Sequence, residues 1–131
     1  MPYINKYSPI SGRQIKEDNT VINIAEMIEA IYKAYVIGNV TINHSALAVT
    51  TASQTALAAN ANRKYASFQN DSDTVIYLKV GSGAVVGQGY RINPNGGSLE
   101  MSPAIGNLSL SAIYAVHNGT GNKNLLISEG V

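Results

Sequence analysis

The chain has 131 residues, a formal net charge of +1 and only 13% Asp, Glu, Lys and Arg, against roughly 25% in an average soluble chain. That length supports one modest core with extra segments. So few charges argue against a nucleic-acid surface, which needs clustered Lys and Arg. A weakly charged surface suits a protein packed in an assembly. With no cysteine, disulfides and cysteine-based zinc sites are excluded. Met1 to Lys6 lacks the apolar run of a signal peptide. No stretch approaches the length of a membrane span. The expectation is a protein made and folded in a cytoplasm, with neither a membrane nor a nucleic acid as partner.

Residues 1–21 read as an extended arm. They contain Pro2, Pro9 and Gly12, with no helical or strand period. Pro9 biases Ser8 toward an extended conformation, and Ser11-Gly12 marks a turn. Tyr3, Ile4, Tyr7, Ile10 and Ile15 are more apolar material than a disordered tail carries. They are the expected anchors of an arm that docks on a partner. Arg13, Lys16, Glu17 and Asp18 are candidates for positioning it.

Residues 22–37 carry an amphipathic helix, predicted over about 24–36. Asn23 is a good N-cap, and Glu26 three residues on completes a capping box. Ile22 and Met27 stand at the positions of a hydrophobic staple. Ile24, Met27, Ile28, Ile31, Tyr32 and Tyr35 recur at the spacing of one helix face. Glu29 and Lys33 form a favourable pair elsewhere, and Gly38 is a natural stop. The stripe must be buried on its own domain or against other copies of itself. A narrow, Ile-rich stripe suits a small bundle around a symmetry axis.

From residue 39 the period changes to two. Val40, Ile42, Ala46 and Ala48 point one way. Residues 50–62 read as a strand followed by a linking segment. Strands are expected at 63–69 and 74–80, around a turn at Asn70-Asp71-Ser72-Asp73. Another, at 84–92, is interrupted at Gly87-Gln88-Gly89. Short strands follow at 98–102, 108–117 and 123–129, with turns at 93–97 and 118–122. Strands this short, with no crossover helices, predict a mainly β fold: an antiparallel β-sandwich, jelly-roll-like or Ig-like, over 38–131. The expected core is Phe68, Val75, Tyr77 (or its neighbours Ile76 and Leu78), Val86, Ile92, Leu99, Leu110, Tyr114, Val116 and Leu126. A one-residue slip would swap the faces.

Catalytic chemistry is not legible. His44 and His117 have no ligand or carboxylate at useful spacing and read as exposed or simply hydrogen-bonded. No serine sits in a nucleophile elbow. Asp71-Ser72-Asp73 offers alternating oxygens for calcium but lacks the further ligands of a defined loop. Gly81-Ser82-Gly83 and Gly87-Gln88-Gly89 precede no helix, so they are not phosphate loops. Arg63-Lys64 reads as a solvated face or an ion-pair partner. No cofactor, metal or enzymatic activity is expected.

One resemblance adds to this reading. Ser8-Pro9-Ile10-Ser11-Gly12-Arg13 and Ile15-Lys16-Glu17-Asp18-Asn19-Thr20-Val21-Ile22-Asn23-Ile24-Ala25 resemble the N-terminal motif of tailed-bacteriophage virion proteins of the head-fibre and capsid-decoration type. There a Gly-Arg pair and a Lys-Glu-Asp-Gly-Thr run precede Val-Asn-Ile-Ala. Asn19 stands where Gly is commoner, and Asn tolerates the left-handed conformation of such a bend. Asn60, Arg63, Gln69-Asn70 and the strand to Gly81 resemble the small C-terminal β-sandwiches of such proteins. The resemblance spans nearly the whole chain. It implies a non-enzymatic structural protein of the virion, assembled in the host cytoplasm. The arm would attach to the major capsid protein, the connector or another virion protein, and the β-domain would be displayed outward, often as a homotrimer. Ile24, Met27, Ile28, Ile31 and Tyr35 would then make the oligomer contact. The competing reading is a carbohydrate-binding module or host-surface adhesin domain, for which Tyr77, Tyr90 and Tyr114 are the available aromatics.

Overall fold

A computed structural model of the chain describes residues 7–8, 13–15, 21–32 and 39–131. The chain divides into two units, Met1–Asn39 and Val40–Val131.

In the first unit, β1 (Tyr7–Ser8), β2 (Arg13–Ile15) and β3 (Val21–Asn23) form a small antiparallel sheet in that order. Tyr7 lies opposite Gln14, Ser8 opposite Arg13, and Arg13 opposite Asn23. This corrects the expectation of an extended arm without strand character. The segments are extended, as Pro9 requires of Ser8, but they pair with one another. Their short length hid the alternation that marks a strand. Helix α1 (Ile24–Tyr32) follows directly. The Asn23 side-chain oxygen accepts the Glu26 amide at 3.2 Å, so the cap read from sequence is made. Lys33, Tyr35, Gly38 and the bend residue Asn19 lie outside the described residues, as does the Ile22 side chain of the staple.

In the second unit, eight strands pair in a nested order. β4 (Ile42–Val49) pairs with β11 (Lys123–Gly130), and β5 (Gln54–Leu57) with β10 (Ile113–His117). β6 (Tyr65–Asn70) pairs with β9 (Ser98–Met101), and β7 (Ile76–Val80) with β8 (Tyr90–Ile92). The chain thus doubles back between β7 and β8, and its two halves run side by side. Curling this ribbon adds the pairings β6–β11 and β7–β10. Two four-stranded antiparallel sheets result, β4-β11-β6-β9 and β5-β10-β7-β8, packed as a β-sandwich. Of the two expected sandwich types, this strand order is that of the jelly roll.

The core between the sheets is built on Phe68, Ile76, Leu78, Ile92, Met101, Ile113, Ala115, Leu125 and Ile127. Four expectations about faces are corrected. Val86, Leu110 and Leu126 are exposed, and in β10 the inner row is Ile113, Ala115 and His117 rather than Tyr114 and Val116. Leu125-Leu126-Ile127 is apolar at both parities. The face that buries two of the three faces inward, which turns Leu126 out. Val116 is buried but lies outside the core cluster, and Val75 and Leu99 are half-buried. Tyr77 and Tyr114 are half-buried on strands whose inner residues are Ile76, Leu78, Ile113 and Ala115.

Two expected strands are shorter than predicted. Val85 and Val86 are exposed ahead of a turn in which the Gln88 amide bonds the Val85 carbonyl at 3.0 Å. Gly89 closes it at φ +80°, and a Cβ there would run into the Leu78 carbonyl. Only a glycine lets β8 approach β7 at this point. Residues 108–112 are held outside any strand, because the carbonyls of Ser109 and Ser111 accept from Arg63 and that of Leu110 from the Asn60 amide. Arg63 and Lys64 likewise precede β6 rather than belonging to it.

Candidate functional site

The helix face is the one place where the described structure leaves a row of large apolar side chains in water. Ile24, Met27, Ile28 and Ile31 are 41%, 50%, 62% and 55% exposed, and Tyr32 is half exposed beside them. No residue of α1 is buried. The spacing places them on one side of the helix. A nine-residue helix is marginal by itself in water, and each fully buried Ile or Met would contribute about 1.5–3 kcal/mol. Of the arm residues, Tyr7 lies in β1 and Arg13 and Ile15 in β2. Tyr3, Ile4, Ile10, Lys16, Glu17 and Asp18, and Tyr35 of the helix set, lie outside the described residues.

Both histidines of the second unit are engaged in structure. His44 is exposed and its Nδ1 is 2.8 Å from the Ser128 hydroxyl. His117, read from sequence as exposed or simply hydrogen-bonded, is fully buried. Its Nδ1 accepts the Gly119 amide at 3.0 Å, and its Nε2 lies 2.9 Å from the Val49 carbonyl. An amide on Nδ1 and a carbonyl on Nε2 together require the neutral tautomer with the proton on Nε2. Both ring nitrogens are thereby occupied. A close Thr74 side chain packs where a Cβ on Gly119 would stand, so this turn is tightly built around the ring.

Asp71 and Asp73, the candidate calcium oxygens, already have cationic or amide partners. Lys123 Nζ sits 2.6 Å from Asp73 Oδ1, and the Asn124 amide 3.3 Å from Asp71 Oδ2. Among the described residues no three of His, Cys, Asp and Glu come together as a metal set. The hydrogen bond from Lys123, then that from Thr74, holds the Asp73 carboxyl below its ordinary value. A depressed carboxyl stabilises the fold above its unfolded pKa, near 3.9, and loses that contribution as the pH falls through the lower folded value. A carbon-detected NMR titration is therefore expected to place the Asp73 midpoint below that of a free aspartate, and K123M to raise it. An unshifted midpoint in the unsubstituted protein would show that the pair does not form in solution. Asp73 is largely exposed, so the contribution to stability is small.

Two polar side chains are more consequential than their sequence positions suggest. Arg63 is buried. Its Nε bonds Glu129 Oε1 at 2.7 Å, Nη1 the carbonyls of Ser109 and Ser111 at 2.7 and 2.9 Å, and Nη2 the Ala58 carbonyl at 2.6 Å. The Asn60 side-chain Nδ2 donates to the same Glu129 oxygen at 3.2 Å. Asn70 is fully buried. Its Nδ2 donates to the carbonyls of Thr74 and Ile92 at 2.7 and 3.1 Å, and its Oδ1 accepts the Ser72 hydroxyl at 2.6 Å. Four of the five Arg63 donors and both Asn70 amide hydrogens are thus spent within the fold. In comparison with known proteins, no family model, no curated protein and no solved structure matches the chain.

Proposed function

We propose that the protein is a non-enzymatic structural component of a tailed-phage virion. Its N-terminal region attaches to the particle and its jelly-roll unit is displayed as a decoration or head-fibre domain. The observation that carries this reading is the α1 face, where Ile24, Met27, Ile28 and Ile31 stand exposed, while the second unit has a core of its own. An apolar row of this kind is a contact surface. A homotrimer closed on these helices would bury it. Several arms per oligomer then raise the avidity for capsid or connector through effective concentration. The jelly roll supports the reading by fold-level analogy, since the architecture recurs in viral capsid proteins.

The test is deletion of residues 1–18, followed by measurement of incorporation into particles and of the circular dichroism of the truncated chain. The expected result is an intact β signal with incorporation lost. Normal incorporation of the truncated chain would remove the docking claim. A second reading, a carbohydrate-binding module, draws on Tyr90, which is exposed on the short edge strand β8. It ranks below the first because Tyr77 and Tyr114, the other two candidate rings, are half-buried and sugar sites stack on open aromatic faces.

A further inference from the structure

The four free edges of the sandwich are unequal. β5 and β9 have four residues each and β8 has three, whereas β4 has eight. Shortness is one of the ways in which natural sheets protect their edges. Charged side chains, proline, bulges and a covering helix or loop are others. β4 has no charge, proline or bulge. Its sequence, Ile-Asn-His-Ser-Ala-Leu-Ala-Val, contains no Asp, Glu, Lys, Arg or Pro, and its register with β11 runs unbroken from Ile42 to Val49. Residues 42–46 are exposed on both faces of the strand.

The hydrogen-bond parity of this edge is fixed. Thr41 exchanges both backbone bonds with Val131, at 2.8 and 3.1 Å. In an antiparallel ladder such pairs alternate. Asn43, Ser45, Leu47 and Val49 therefore direct their backbone groups to β11, while Ile42, His44, Ala46 and Ala48 direct theirs to the free edge. None of the described strands pairs there.

We infer that β4 pairs antiparallel with β4 of a second copy of this chain, about a two-fold axis at Ser45. That register places Ile42 opposite Ala48 of the second copy, and His44 opposite its Ala46. Every edge-directed N–H and C=O from 42 to 48 then finds a partner. Centring the axis on His44 or Ala46 keeps the parity but leaves part of the edge unpaired. The neutrality of the strand means that no like charges meet across the axis, which would otherwise destabilise the pairing. The outer face near the seam is Ile42, His44, Ala46, Ala48 and the exposed Leu126, which lies opposite Ala46. Apart from the His44 ring and its Ser128 partner, these side chains are apolar and can continue across the join. The two β4-β11-β6-β9 sheets thereby become one. This pairing belongs to the second unit and does not rest on the virion reading.

The chain has no cysteine, so S45C introduces a single thiol. Opposite residues at a non-hydrogen-bonded antiparallel position have Cα atoms about 4.5 Å apart, within disulfide reach of about 4.4–6.8 Å. Mild oxidation of full-length S45C is expected to give a covalent dimer on a non-reducing gel. N43C, whose own counterpart stands four residues away along the second strand, is expected to remain single. In the background H44K/A46K, which sets lysine opposite lysine, the S45C cross-link should disappear while circular dichroism is unchanged. Absence of the S45C dimer, equal cross-linking of N43C, or persistence of the cross-link in the folded lysine background would each overturn the proposal. If the lysine background does not fold, the contrast between S45C and N43C decides alone.

Discussion

Arg63→Ala is expected to lower the unfolding free energy by about 3–5 kcal/mol, the usual cost of removing one partner of a buried ion pair. Small domains have only about 5–15 kcal/mol in total, so the variant would sit near the edge of folding. The reasoning rests on what is left behind. Glu129, whose carboxylate is 19% exposed, would lose the guanidinium it pairs with. The carbonyls of Ala58, Ser109 and Ser111 would lose the donors that now reach them. Buried unsatisfied acceptors cost about 1–3 kcal/mol each when water cannot reach them. Arg63→Lys is expected to recover little, because an ammonium group cannot present the planar fork that meets four acceptors in different directions. Glu129→Gln should be milder, since an amide oxygen still accepts from Nε. Urea unfolding of the three variants, with comparison of midpoints at constant slope, tests the order. A loss below about 1 kcal/mol for Arg63→Ala would show that the network is not formed in solution.

The consequence reaches the fold. Arg63 gathers the segment after β5, the segment before β10 and the end of β11 around one guanidinium. The first two of these have no ladder of their own. Residues 108–112 would otherwise be free to extend β10, as their alternation of Leu108, Leu110 and Ala112 with serines suggests. The arginine takes their carbonyls instead. Arg63, read from sequence with Lys64 as a solvated face or an ion-pair partner, is thus an ion-pair partner that also ends a strand.

The strands themselves were legible because local chemistry marks them. Asn70-Asp71-Ser72-Asp73 and Gly81-Ser82-Gly83 bracket β7, and Asn118-Gly119-Thr120-Gly121-Asn122 separates β10 from β11. Each turn uses residues that favour turn geometry. The Asn23 cap was legible for the same reason, since its acceptor and donor are three residues apart. What could not be read depends on distance along the chain. Arg63 bonds carbonyls 46 and 48 residues away, and His117 one 68 residues away. Main-chain carbonyls leave no trace in a sequence. Faces were also illegible wherever apolar residues occupy both parities, as in Leu125-Leu126-Ile127, because only the opposing sheet decides between them. The exposed helix row is a different case. Its periodicity was plain, but periodicity alone does not say whether a face is covered, and no residue of α1 is buried.

Asn70→Asp is expected to be nearly as damaging as Arg63→Ala, by about 3–5 kcal/mol at neutral pH, although it changes no more than an amide to a carboxylate. The Nδ2 group it replaces is the donor to the Thr74 and Ile92 carbonyls, at 2.7 and 3.1 Å. An oxygen in that place would confront two carbonyl oxygens at hydrogen-bond distance, in a fully buried site. An ionised carboxylate there is both desolvated and facing the wrong dipoles. The Ser72 hydroxyl alone would remain a suitable partner. The defect is relieved by a proton, because a neutral carboxylic acid can donate one bond to Thr74 or Ile92. The folded-state pKa of the new group is therefore raised above the unfolded value of about 3.9. A raised carboxyl destabilises the fold above the unfolded pKa and stops doing so as the pH falls below it. Denaturant midpoints of the unsubstituted protein and of N70D should accordingly lie far apart at pH 7 and approach one another toward pH 4. A gap that stays constant with pH would show that the loss comes from packing around the β6–β7 turn rather than from the charge. A gap near zero at pH 7 would mean that water reaches Asn70.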